Sequence, residues 1–128
     1  MVAQKNSVKV LLIDGNTKDF PAFLRMMATA EAQRTVDRPL ELLYTDTLES
    51  GLRQITKGGI NLVLLGHPLE DKTALDKIRE AAPQIPVVAI AAHKHEKLAI
   101  EAVKNGAKSY LLKGKNGTEA LSRLIEQI

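Results

Sequence analysis

At 128 residues and 14.0 kDa the chain has the size of one ordinary domain, which excludes a two-domain enzyme with a second catalytic lobe. Its 45% hydrophobic and 26% charged residues lie outside the range of disordered chains, and the absence of cysteine excludes disulfides and thiolate metal sites. The formal charge of +3 comes from scattered Lys and Arg, and the four aromatics, Phe20, Phe23, Tyr44 and Tyr110, are too dispersed for a base-stacking platform, so no nucleic-acid partner is expected.

No apolar run approaches the length of a membrane helix, and residues 1–7 lack the apolar core of a signal peptide. The expectation is a cytoplasmic protein with no membrane partner, one domain over 1–128 whose first seven residues form a flexible tail.

In chain order, short apolar runs of strand length alternate with stretches of helical spacing. Residues 8–13 read as the first strand, and Phe20, Phe23, Leu24 and Met27 mark the first helix, with 28–39 as its tail and a polar loop. Residues 40–44 form the second strand. Thr47 is placed to cap the helix of Leu48, Leu52 and Ile55, and Gly58-Gly59 to stop it. The third strand spans 62–65, and Asp71 precedes the helix of Leu75 and Ile78. Pro86 opens the fourth strand, 87–91, where a missing N–H does little harm. The fourth helix carries Leu98, Ala102 and Val103 and ends at Asn105-Gly106; the fifth strand is 110–112, and Thr118 is placed to cap the last helix, with Leu121, Leu124 and Ile125.

Five strand–helix units with near-continuous apolar strands predict a parallel sheet buried on both faces, a doubly wound α/β sandwich of three layers. In such sheets ligands bind beyond the carboxyl ends of the strands. The residues there are Asp14-Gly15-Asn16, Thr45-Asp46-Thr47, Gly66-His67-Pro68, Ala91-Ala92-His93 and Lys113-Gly114-Lys115.

The segments Val10-Leu-Leu-Ile-Asp14, Asn61-Leu-Val-Leu-Leu-Gly66, Ile85-Pro-Val-Val-Ala-Ile-Ala-Ala92 and Asn105-Gly-Ala-Lys-Ser-Tyr-Leu-Leu-Lys113 resemble, in order and spacing, the receiver domain of bacterial response regulators. The resemblance covers nearly the whole chain. It implies the flavodoxin-like (CheY-like) fold with strand order 2-1-3-4-5 and a role in two-component, phosphorelay signalling.

It also implies a site: two acids after the first strand and an Asp after the third to hold Mg²⁺ and accept the phosphoryl group, a Thr or Ser after the fourth, a Lys after the fifth, and a switch aromatic before that Lys. Mapped onto this chain, Asp14 keeps the first acidic position, but Gly15 stands at the second, Gly66 at the phosphoacceptor position and Ala91 at the hydroxyl position. Lys113 and Tyr110 remain. Glycine has no group to phosphorylate, and Mg²⁺, which favours oxygen ligands, keeps one carboxylate of this set. The expectation is a pseudo-receiver with no catalytic residues, no cofactor and weak or absent Mg²⁺ binding, acting on a signalling protein or output domain.

Alternatives remain open at several positions. Asp14 and Lys113 form a direct ion pair, or Lys113, with Lys94 and Lys115, takes an anion or a nucleotide phosphate. Tyr110 lies inward over Ala91, or outward with its hydroxyl in water. His67, His93 and His95 read as solvated loop residues sooner than as metal ligands. A relocated phosphoacceptor would have to be Asp46, Asp71 or His67. The face of the fourth helix, fifth strand and fifth helix, with Lys97, Glu101, Lys104, Lys108, Glu119, Arg123 and Glu126, is either a partner or homodimer surface or an ordinary solvated one. The glycines of 113–117 lack the spacing of a phosphate loop.

Overall fold

The computed structural model describes residues 7–33, 39–69, 71–113 and 117–126; of the residues singled out above, 1–6, Gly114, Lys115 and the stretch 34–38 of the expected helix tail and polar loop lie outside them. Five strands, β1 (Val8–Ile13), β2 (Leu40–Thr45), β3 (Leu62–Leu65), β4 (Val87–Ala91) and β5 (Ser109–Leu112), alternate with five helices, α1 (Phe20–Gln33), α2 (Leu48–Lys57), α3 (Lys72–Ala81), α4 (Glu96–Lys104) and α5 (Gly117–Glu126). All strand pairs are parallel, in the order β2-β1-β3-β4-β5. This is the doubly wound flavodoxin-like sandwich.

Alternation of side chains along the strands divides the core in two. Leu11, Ile13, Val63, Leu65, Ala89 and Ala91 face α2, α3 and α4, whereas Val10, Leu12, Leu62, Leu64, Val88 and Ile90 face α1 and α5. The central strands β3 and β4 are buried throughout. Burial on both faces does not extend to the edges: β2 is only half-buried and β5 buries Leu111 alone, because each has a neighbouring strand on one side only.

Local signals set the boundaries. Thr47 accepts the amide of Ser50 and Asp71 that of Thr73, so both cap their helices. Gly58 ends α2 at a φ of 87°. Gly106 follows α4 at a φ of 123°, with the amide of Ala107 returned to the carbonyl of Ala102. Thr118 is not a cap: α5 begins at Gly117, which puts Thr118 inside its first turn. Gly51, inside α2, is buried where the helix passes closest to β1.

Candidate functional site

The sheet's own hydrogen bonds carry past the strand ends and fix the backbone of the site. The amide of Asp14 donates to the carbonyl of Thr45 at 3.0 Å, that of Gly66 to Ile13 at 2.7 Å, and that of Lys113 to Ala91 at 2.8 Å. Asp14, Gly66, Ala91 and Lys113 therefore stand together at the carboxyl edge of β1, β3, β4 and β5. Gly15 is tied in as well, its amide donating to the carbonyl of His67.

Asp14 is 3% exposed, and its carboxylate is fully engaged. Oδ1 accepts the amides of Asn16 at 2.9 Å and His67 at 3.1 Å, while Oδ2 accepts Lys113 Nζ at 2.8 Å. The ion pair is withdrawn from solvent, with side-chain exposures of 4% for Asp14 and 11% for Lys113. A buried carboxylate needs such partners, since an unpaired charge there would meet a desolvation cost of several kcal/mol.

Gly66 lies directly under this pair. A Cβ at residue 66 would stand 2.6 Å from both Cγ and Oδ2 of Asp14, closer than such atoms approach. The Asp14 carboxylate thus occupies the space into which any side chain at the end of β3 would project. Gly15 is less constrained, because its nearest neighbour would be the carbonyl oxygen of His67 at 3.3 Å.

These residues do not fit Mg²⁺. Neither glycine offers an oxygen-bearing side chain, and Asp14 is already turned toward an ammonium and two amides. No three His, Asp or Glu side chains gather as metal ligands among the described residues.

Tyr110 adopts neither of the two arrangements expected for it. The ring is half-buried against the core on the α4 side, and its hydroxyl donates to Glu96 Oε2 at 2.8 Å instead of reaching water. It is also absent from the lining of the cavity beside Ala91. The hydrogen bond to Glu96, ahead of desolvation, raises the phenol's pKa.

Tyr44, not singled out as a site residue, supports the pocket from below. Its hydroxyl donates to the carbonyl of Asp14 at 2.9 Å, and its ring stacks on Phe20 with centroids 4.4 Å apart. The signal was an aromatic at the register position beside Leu12, one strand over from Asp14.

The cavity at this edge, about 130 Å³, is lined by Lys113, Ala91 and Asn16, and also by His67 and His95. Both histidines are exposed, as expected of loop residues, yet they lie on one rim because β3 and β4 are neighbours. His93, Lys94 and Asp46 are exposed and do not line it. Asp71 is committed to Thr73, whose side chain and amide both donate to it; these bonds, the side chain's foremost, hold its pKa below the ordinary carboxylate value.

Of the residues expected on the α4–β5–α5 face, Lys97, Glu101, Lys104, Lys108, Arg123 and Glu126 are exposed, and so is Ile100 of α4. Glu101 pairs with Lys104 and Glu119 with Arg123, both in solvent.

No protein-family model and no curated protein matches the chain. Its fold is that of response regulator receiver domains, the class to which its structural neighbours belong. A receiver domain protein from Clostridium thermocellum is similar at 24% identity and a TM-score of 0.70, over 94% of this chain and 92% of that one. A response regulator from Thermotoga maritima shares 20% identity at a TM-score of 0.71, over 94% and 96%. An orphan response regulator of H. pylori shares 21% at 0.67, over 95% and 96%. At these identities the likeness is one of fold. No helix among the described residues is long and apolar enough to cross a membrane.

Proposed function

We propose that this chain is a receiver-like signalling domain of the two-component type that takes no phosphoryl group on aspartate and acts through contacts with other proteins. The observation that carries this reading is the Asp14–Lys113 ion pair closed over Gly66. Phosphotransfer needs a nucleophile at the end of β3 and a metal beside it to neutralise charge on the transferring group. Here the nucleophile is a glycine, and the one acid of the set is neutralised by Lys113.

The reading assigns no enzymatic turnover, since no nucleophile–base pair among the described residues converges on the pocket, and no cofactor or tight Mg²⁺ site. Its partner is a signalling protein or output domain in the cytoplasm, or a second copy of the chain. The surface that suits it is the α4–β5–α5 face, where α4 exposes Ile100, at 38%, along with Lys97, Glu101 and Lys104.

Intact-mass measurement after incubation with acetyl phosphate and Mg²⁺ tests the proposal. An unchanged mass is expected. A phosphoryl adduct would overturn it, and mapping the adduct to Asp46, Asp71 or His67 would name a relocated acceptor.

A further inference from the structure

The cavity beside Lys113 has a chemistry of its own, independent of whether the chain is phosphorylated. Among the described residues its polar lining consists of Asn16, His67, His95 and Lys113, all able to present N–H donors, with no carboxylate among them. Asp14, which pairs with Lys113, is buried and does not line the cavity, and both its oxygens accept hydrogen bonds. The rest of the lining is apolar, chiefly the side chains of Leu69, Ala91 and Leu98. A donor-bearing rim over an apolar floor matches a ligand with an oxyanion at one end and hydrocarbon at the other.

Size narrows the class. A volume of about 130 Å³ is slightly below that of a cavity that holds benzene, about 150 Å³. It suits a ligand of roughly six heavy atoms and is too small to enclose a nucleotide. Inorganic phosphate would fill the polar rim but leave oxygens against Leu69, Ala91 and Leu98, where they lose water without gaining partners.

We propose that this cavity is a binding site for a small organic monocarboxylate, its carboxylate at the His67, His95 and Lys113 rim and its alkyl part on Leu69, Ala91 and Leu98. Asp14 holds Lys113 at the rear of the site, and Ala91, with its small side chain, leaves the floor open.

The test is an amide-resolved NMR titration of the whole chain with sodium butyrate, with butanol and inorganic phosphate as comparison probes at matched ionic strength. Butyrate is expected to give saturable shifts centred on His67, Leu69, Ala92 and Leu98, with a Kd on the order of millimolar. Butanol should bind at least about tenfold more weakly, and so should butyrate to the His67→Ala/His95→Ala double variant. Both imidazoles are exposed, so the variant keeps the core, and its dispersed spectrum checks this. The proposal is overturned if butyrate gives no saturable shift, if butanol matches it, if phosphate binds more tightly, or if the folded double variant binds butyrate as well as the parent.

Discussion

The carboxylate of Asp14 leans over the α-carbon of Gly66 so closely that a methyl group on residue 66 would meet it at 2.6 Å. Gly66 is therefore a packing requirement of the closed pair. Any side chain there must turn Asp14 away from Lys113, and with it from the amides of Asn16 and His67.

Gly66→Ala should therefore destabilise the fold by about 1–3 kcal/mol, as overpacking of a filled site does. Asp14→Ala in the same chain should relieve part of that cost, so the double variant loses less than the sum of the two singles in urea unfolding. Strict additivity would show that Asp14 and residue 66 do not compete for space. By the same geometry, Gly66→Asp alone should not gain a phosphoryl adduct from acetyl phosphate, because the new carboxylate enters a space already held by an ion pair.

The ion pair itself sets a second expectation. Lys113→Met leaves a carboxylate that is 4% exposed without its cation and should cost about 3–5 kcal/mol. Asp14→Asn together with Lys113→Met removes both charges, keeps side chains of similar length and should recover much of that loss. Chemical unfolding of the three variants measures the coupling. Equal stability of Lys113→Met and the parent would mean that the pair is dispensable.

The fold was legible because the five apolar runs are short, rich as a set in Val, Ile and Leu, and separated by helical spacing, and the central runs 62–65 and 87–91 have the burial that such composition demands. Edge burial was overestimated: 40–44 carries Glu41, exposed in β2, whereas 62–65 and 87–91 are wholly apolar, so that one charge was a usable sign of an edge strand. The ends of β1, β3, β4 and β5 were legible from the same order, which brings Asp14 and Lys113 within reach of each other. Three features depended on side-chain geometry that spacing does not carry: the lean of Asp14 over Gly66, the turn of Tyr110 to Glu96, and the meeting of His67 with His95. The last had a usable signal, since both follow neighbouring strands, β3 and β4. Thr118 was misplaced by a single boundary residue, the scale on which helix ends fluctuate.

Gly51 reverses a common rule. Replacing glycine by alanine inside a helix ordinarily stabilises it by roughly 1 kcal/mol. Here the added methyl would run into the end of the Ile13 side chain, with Cγ1 2.7 Å away and Cδ1 closer still. Gly51→Ala should lower stability, by about 1–3 kcal/mol. Ile13→Val removes Cδ1, so in that background the penalty should shrink, and thermal melts of the four combinations measure it. A stabilised Gly51→Ala chain would show that α2 moves off β1 at little cost.

Tyr44 gives the pH-dependent test. Burial, then the charges of Asp14 and Asp46, push its phenol above the ordinary value near 10, with Lys113 opposing. A raised folded pKa means that the native state holds the proton more tightly than the unfolded chain does. The stability this confers is complete below the unfolded value near 10 and is lost as pH rises through the folded one. In a Tyr110→Phe background Tyr44 is the only phenol, and its ultraviolet titration should lie above that of the same chain in urea. Asp46 is exposed, so Asp46→Asn should leave the fold intact and move the folded titration down, toward the ordinary value. A folded titration coincident with the unfolded one, or unmoved by Asp46→Asn, would separate Tyr44 from the electrostatics of the Asp14 pocket.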